Sequence, residues 1–392
     1  IASASIKKIS SFEMRDLGNT AWAFAPRSFG HNPLLDAIAA AARPHLTSVR
    51  ETAAAKFATA RHNESAGTEV NILGVVQAFA SVDRLSTGLL DAATAALERC
   101  GDARDGPCAV AKLADVSSAR ASEPTEPYVI IEQRRVCVLW KPPGWAATAA
   151  SADGESRDSG HDEEGDDGDP GEDATSLLKM RWWLGREFGG HPIVNDTSAS
   201  HGLVHRLDRD TSGALLWAKG YGGLFLARLQ FAARRVRKGY VCAAAGRLPQ
   251  GRRLLRAPLL EVQGAVLSRS CVDPAGRSAQ TELLTVGHFV SPGGDDISLV
   301  EVRLHTGRMH QIRAHMAHEG HPLVGDALYG AGKVPWCSRM FLHAWNLMLD
   351  LGDGPLNVEM PPASDLRLAM AAMEPVCTRD RASMDRWLQH GP

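Results

Sequence analysis

An aspartate in a turn and an arginine on a buried helical stripe are the residues of this 392-residue chain best suited to chemistry. Met309, Ile312 and Met316 repeat at helical spacing, which predicts a helix over Arg308 to His318, and Arg313 lies four residues after Met309 and three before Met316. It therefore shares their core-facing side, where a guanidinium is costly unless it meets a carboxylate. Asp208 is the candidate partner. It stands in Asp208-Arg209-Asp210-Thr211-Ser212-Gly213, a run of turn formers between the strand-like runs Leu203 to Leu207 and Ala214 to Ala218. Pairing would hold its carboxylate ionised. An ionised aspartate kept from bulk water is suited to attack an electron-poor carbon with no metal. A structural ion pair beneath a loop is the other reading of the same spacing.

Two rival chemistries draw on the same residues. Asp208-Arg209-Asp210-Thr211 fits the D-x-D-x-T of phosphoaspartyl phosphatases, which would need Mg²⁺, but His205 and Arg206 interrupt the apolar strand such enzymes run into their first aspartate. His305, His310, His315, His318 and His321 fall within seventeen residues. Their spacings of 5, 5, 3 and 3 do not set three imidazoles on one helical face, and no H-E-x-x-H accompanies them, so no metal site is expected.

The elements that must position Asp208 and Arg313 follow from patterning. Val136 to Trp140 reads as a strand ending at Lys141-Pro142-Pro143-Gly144, where two prolines stop ladder pairing. Leu224 to Arg237 is predicted to be a helix with Phe225, Leu229, Ala232 and Val236 inward and Arg228, Arg234, Arg235 and Arg237 on other faces. Tyr240 to Ala245, Ala279 to Val286 and Ile297 to Leu304 alternate as strands. Upstream, Trp22-Ala23-Phe24-Ala25 followed by Leu34-Leu35-Asp36-Ala37 recurs 55 residues later as Gln77-Ala78-Phe79-Ala80 with Leu89-Leu90-Asp91-Ala92, a pattern of paired, stacked helices.

Charge points to a polyanion. Net charge is −2, yet residues 153–173 hold eleven acids and one base, so the rest of the chain is about +8. Residues 177–240 alone carry eleven Lys/Arg against four Asp/Glu. A 44% hydrophobic, 22% charged composition excludes a collagen, a mucin or a wholly disordered chain, and no run of eighteen apolar residues exists to span a bilayer. Seven scattered cysteines with no C-x-x-C pair fit a reducing compartment. The chain opens on Ile1 with no apolar signal core, as expected of a piece whose targeting segment is gone.

Longer motifs sharpen this. His205-Arg206-Leu207-Asp208 with Thr211-Ser212-Gly213 resembles the H-R-L-D-x-x-T-S-G signature of RluA-type pseudouridine synthases. Lys141-Pro142-Pro143-Gly144 is similar to that family's K-P-x-G turn, and Lys238-Gly239-Tyr240 to its K-x-Y. Thr306-Gly307-Arg308-Met309-His310-Gln311-Ile312-Arg313-Ala314-His315 is similar to its T-G-R-x-H-Q-I-R-x-H. The run Gly320 to Gly330 and Leu342-His343-Ala344 complete an ordered set over about residues 128 to 360. The resemblance implies isomerisation of uridine in RNA without a cofactor. Asp208 would be the nucleophile, Arg313 its salt-bridge partner, and Tyr240 a stacking platform that helps remove the C5 proton. Arg206 would enter the RNA where the target base leaves its stack. His205, Arg206, Thr211, Lys238, Arg308 and Gln311 form the expected RNA-contacting set. One departure is Trp145-Ala146-Ala147-Thr148 after the K-P-x-G, which leaves substrate contacts there open. A non-catalytic RNA-binding protein retaining the fold is the alternative.

The amino-terminal pattern, above all Leu17-Gly18-Asn19-Thr20-Ala21-Trp22-Ala23-Phe24-Ala25, resembles octotricopeptide-type repeats, a family that implies RNA binding in organelles, hence a chloroplast or mitochondrion. No amino-terminal S4-type module is visible, so the repeat would take over target choice. The expected architecture is α+β: a helical-repeat region (1–110), a linker (111–127), a catalytic domain (128–365) on a mixed, mostly antiparallel sheet with a disordered acidic insert (151–173), and a helical tail (366–392). The expected partner is RNA, whether ribosomal, transfer or messenger, with no membrane and a monomeric chain.

Overall fold

The computed structural model describes residues 8–24, 32–57, 66–105, 125–147, 178–263 and 268–389. The expected acidic insert and most of the expected linker lie outside the described residues. Four amino-terminal helices come first: α1 (Met14–Phe24), α2 (Asn32–Phe57), α3 (Ala66–Ser81) and α4 (Thr87–Asp105). Ser86 starts α4 by accepting the Leu89 N–H at 3.3 Å. Leu89, Leu90, Ala93, Leu97 and Cys100 then bury one stripe of it. Helix α1 packs on α3 and α2 on α4.

The rest of the chain runs β1 (Tyr128–Glu132), β2 (Val136–Lys141), β3 (Trp145–Ala146), β4 (Leu178–Lys179), α5 (Met180–Phe188), β5 (Ser212–Ala218), α6 (Tyr221–Ala232), β6 (Arg237–Ala245), β7 (Arg253–Leu255), β8 (Leu259–Gln263) and β9 (Ser268–Val272). It continues with β10 (Thr281–Val290), β11 (Asp296–Leu304), α7 (Gln311–His318), β12 (Leu342–Asp350), β13 (Pro355–Glu359), α8 (Ser364–Ala371), β14 (Glu374–Pro375) and α9 (Thr378–Gln389). The main sheet is ordered β1-β2-β5-β12-β6-β11-β10-β14, with β13 on β12 and β7 on β10. Its pairings are antiparallel except for β5 with β12. The molecule is thus α+β with a mixed, mostly antiparallel sheet. At the parallel seam Gly213 lies with φ +128°, and a Cβ there would come within 2.2 Å of the Ala344 carbonyl oxygen, so only glycine lets the two strands meet.

Strands β2 and β5 are buried along their whole length, covered on both faces. Helices α3 and α4 lie against α6, and one apolar core runs without a break from Leu17, Ile38 and Leu97 through Leu226 to Leu215 and Leu347. A second cluster, with Phe289, Phe341, Leu366 and Met370, lies between the sheet and helices α8 and α9.

Three local expectations need correction. Leu203 to Leu207 is not a continuous strand but touches β5 and Ala147 through isolated bridges, because His205 Nε2 accepts the Leu216 N–H at 3.1 Å and so replaces a ladder carbonyl. The helix expected to reach Arg237 ends at Ala232, where Arg234 turns left-handed at φ 57°. The helix expected from Arg308 starts at Gln311, after His310 at φ 49°.

Candidate active site

Asp208 sits in the connection into β5, and three cations fix that connection. Lys141, at the end of β2, is fully buried, and its Nζ donates to the carbonyls of Arg209 (2.7 Å), Thr211 (2.8 Å) and Pro142 (3.1 Å). Burial pulls its pKa down to about 7. From the opposite side Arg339 Nη1 donates to the Asp210 carbonyl (2.7 Å) and Nη2 to Ser212 Oγ (2.9 Å), while its Nε is anchored on Asp365 Oδ2 at 2.6 Å. Ser212 Oγ in turn meets His343 Nδ1 at 2.9 Å. The turn closes on itself through Thr211 N–H to the Asp208 carbonyl at 3.0 Å.

The third cation is Arg313. Its Nη1 donates to Asp208 Oδ2 at 3.3 Å, and both side chains are nearly buried, at 7% and 14% exposure. The pair inferred from helical spacing and turn chemistry therefore exists. Arg313 also makes a two-pronged contact that the sequence did not single out: Nε to Asp326 Oδ2 at 2.8 Å and Nη2 to Asp326 Oδ1 at 3.0 Å. Asp326, only 1% exposed, takes most of the guanidinium fork and leaves one edge to Asp208. The Tyr329 ring packs 5.1 Å from the guanidinium carbon, and its hydroxyl bonds the backbone of Ser270. Asp326 and Tyr329 both lie in the run Gly320 to Gly330, whose spacing alone does not mark either as a partner of Arg313.

A cleft of about 240 Å³ opens over Asp208. Tyr240 on β6 and Arg206, Lys238, Arg308 and Arg313 line it. Burial, reinforced by the nearby charge of Asp208, raises the Tyr240 pKa, so its hydroxyl stays protonated. Lys238 lies over the Phe231 ring at 5.4 Å, and burial together with Arg308 lowers its pKa to about 8. Arg206 is exposed at the cleft edge.

Three residues of the expected RNA-contacting set do internal work although they reach the cleft wall. Gln311 Oε1 accepts from Thr306 Oγ1 (2.7 Å) and Arg308 N–H (3.0 Å), while Nε2 donates to the Gln280 carbonyl (3.0 Å) and Thr281 Oγ1 (2.9 Å). With its amide so engaged, it shapes the turn that precedes α7. His205 packs against Phe231 with ring centroids 5.3 Å apart, and burial lowers its pKa to about 4, so it is neutral at physiological pH. Thr211 is 1% exposed and serves through its backbone. Of the five clustered histidines, His305 meets Glu282 at 3.0 Å, and His315 and His321 bond the carbonyls of Ala257 and Ala245, each at 2.8 Å. Among the described residues no three His, Cys, Asp or Glu side chains converge as a metal site would require.

Known proteins resemble this part of the chain. A family model described as RNA pseudouridylate synthase matches residues 193–318. An uncharacterized RNA pseudouridine synthase of Chloroflexus aurantiacus is 43% identical over 144 residues, 36% of this chain and 43% of that protein. The ribosomal large subunit pseudouridine synthase C of Vibrio vulnificus is 31% identical over 179 residues, 44% of this chain and 55% of that one. Pseudouridine synthase D of the ribosomal large subunit from Yersinia pestis is 35% identical over 145 residues, 37% and 42% respectively. The chain thus spans about half the length of the curated relatives it matches. Human RNA pseudouridylate synthase domain containing 1 aligns over 69% of this chain and 99% of its own, at 22% identity and a TM-score of 0.47. Residues 193–318 of the chain are thus similar to RNA pseudouridylate synthases, ribosomal large subunit enzymes among them.

Proposed function

We propose that this protein isomerises uridine to pseudouridine in structured RNA, with Asp208 as the nucleophile. The observation that carries the reading is a carboxylate at the floor of a basic cleft, held by Arg313 Nη1 at 3.3 Å while Asp326 takes the rest of the guanidinium. In this reaction the N1–C1′ bond breaks, the uracil turns, and C5 joins C1′; the proton lost from C5 is matched by one gained at N1. Asp208 forms a transient bond, to the ring or to the sugar, and is expelled at the end, so no cofactor is consumed. A uridine must first leave its stack to reach a recessed carboxylate, and Arg206 at the cleft edge is placed to fill the gap it leaves. Tyr240, neutral and lining the same cleft as Asp208, suits stacking on the uracil better than acting as a free phenolate base.

Asp208→Asn tests the assignment by mapping pseudouridine at single-nucleotide resolution and measuring RNA affinity in parallel. The expected result is loss of pseudouridine formation by roughly a thousandfold or more with affinity preserved. Unchanged pseudouridine formation in the variant would remove Asp208 from the chemistry. RNA binding by the unaltered protein without any pseudouridine would favour the non-catalytic alternative. The amino-terminal hairpins and the basic cleft form one body, which supports a role for those helices in choosing the RNA.

A further inference from the structure

The cleft over Asp208 does not stop at the catalytic group. Its lining also takes in Gln77 on α3, together with Phe231, Arg234, Lys238 and Arg308. Gln77 is contributed by the amino-terminal helices, and the cationic side, a second wall, comes from the end of α6, the start of β6 and the turn before α7. The second wall is a ridge of three cations close enough to perturb one another. Burial and then the Arg308 charge lower the pKa of both Lys238 and Arg234, and the Lys238 Nζ lies 3.2 Å from where a Cβ on Gly307 would stand. Among the described residues neither Lys238 nor Arg234 is ion-paired.

The backbone at Arg234 gives an independent pointer. Helix α6 closes with a Schellman turn, in which the Arg235 N–H reaches the Gln230 carbonyl at 2.9 Å, and the left-handed position inside that turn is usually glycine. Here it is Arg234 at φ 57°, a conformation unfavourable for a residue with a Cβ. Across from it α3 ends in the same way: the Arg84 N–H reaches the Phe79 carbonyl at 2.9 Å, and Asp83 takes the left-handed place at φ 62°. Asp83 is the one carboxylate whose charge bears on Arg234, and it is exposed. Of these two left-handed positions only Arg234 lines the cleft, while Asp83 lines a separate cavity with Arg43 and Arg84.

We propose that the channel between Gln77 on α3 and the Arg234–Lys238–Arg308 ridge is a phosphodiester subsite, holding the RNA backbone next to the extruded uridine, so that the amino-terminal helices form part of the substrate cleft. The inference rests on the RNA isomerase reading for its substrate class but not for its chemistry. A phosphate chain suits the ridge because it supplies closely spaced negative charges without requiring that any one cation be fully desolvated. A neutral Gln77 opposite is compatible with a passing backbone, whereas a carboxylate there would repel it.

The test uses the full chain and a fluorescein-labelled oligouridine RNA of about 12 nucleotides, with affinity measured by anisotropy across a KCl series. Arg234→Gly should weaken binding roughly three- to tenfold at low salt and reduce the log–log salt slope by about one, with Tm unchanged or raised because the left-handed strain is relieved. Arg234→Lys should restore most of the slope. Gln77→Glu should also weaken binding. A wild-type slope in Arg234→Gly, wild-type affinity in Gln77→Glu, or no binding of the oligomer by the unaltered protein at low salt would each overturn the subsite. Salt-slope losses in these variants alongside a complete lack of pseudouridine in the unaltered protein would retain the subsite and reject the isomerase reading.

Discussion

At the residue scale the site turns on how one guanidinium is shared. Arg313 gives two donors to Asp326 and one to Asp208, so Asp326 fixes the direction from which Asp208 is approached and is a positioning residue. Asp326→Asn keeps the size and removes the charge of a group that is almost fully enclosed. The expected outcome is a fall in turnover of about a hundredfold with KM changed little, and a loss of stability approaching 3–5 kcal/mol because Arg313 is left without its main counter-ion. Steady-state kinetics and denaturant unfolding check both; a variant with normal kcat and stability would show that Asp208 alone orients the arginine. Asp208 and Arg313 were legible in the sequence because one lies among turn formers and the other on an apolar stripe, and each is anomalous where it stands. Asp326 was not, since an aspartate between Gly325 and Ala327 looks like an ordinary turn residue until its partner, thirteen positions earlier on a helix, is seen.

At the scale of elements, the loop that carries Asp208 is held by the strand ends around it. Lys141 ends β2, Ser212 begins β5, His343 lies in β12, and the parallel seam between the last two requires Gly213. The buried ammonium of Lys141 binds three carbonyls of its own turn and of the Asp208 loop. Lys141→Met should therefore preserve the sheet, since methionine fills the same apolar volume, while freeing the loop by removing a donor from three carbonyls, of which that of Arg209 keeps the Gly144 N–H. The expected result is a circular dichroism spectrum like that of the unaltered protein with turnover lowered at least tenfold; full activity would mean that Arg339 and the glycine seam suffice. Most strands were readable from alternation, as β6, β10 and β11 show. The failure at Leu203 to Leu207 has a local physical cause. Leu203 to Leu207 alternates like a strand, but a histidine side chain supplies the bond that a ladder carbonyl would have made, and periodicity carries no record of such a substitution.

At the scale of the whole molecule, the amino-terminal helices and the sheet share one core. Asp105, at the end of α4, accepts the N–H groups of Tyr221 (2.6 Å) and Gly222 (2.9 Å) and so caps α6, while Arg104 reaches Asp196 at 2.7 Å and covers the Tyr221 ring. The two helices cross on glycines: a Cβ on Gly101 would stand 2.3 Å from the Gly222 Cα. Gly101→Ala should push α4 off α6 and cost about 1–3 kcal/mol, read as a lower Tm, with RNA affinity reduced as the α3 wall shifts. A variant as stable as the parent would show that the crossing has slack. The distribution of contacts along the chain has a further consequence. Asp208 meets its guanidinium partner 105 residues downstream, and Ser212 meets Arg339 across 127. A chain still emerging from the ribosome carries the whole Asp208 turn long before either arginine, so the contacts that hold that turn form late in synthesis, when the distant segments close around it.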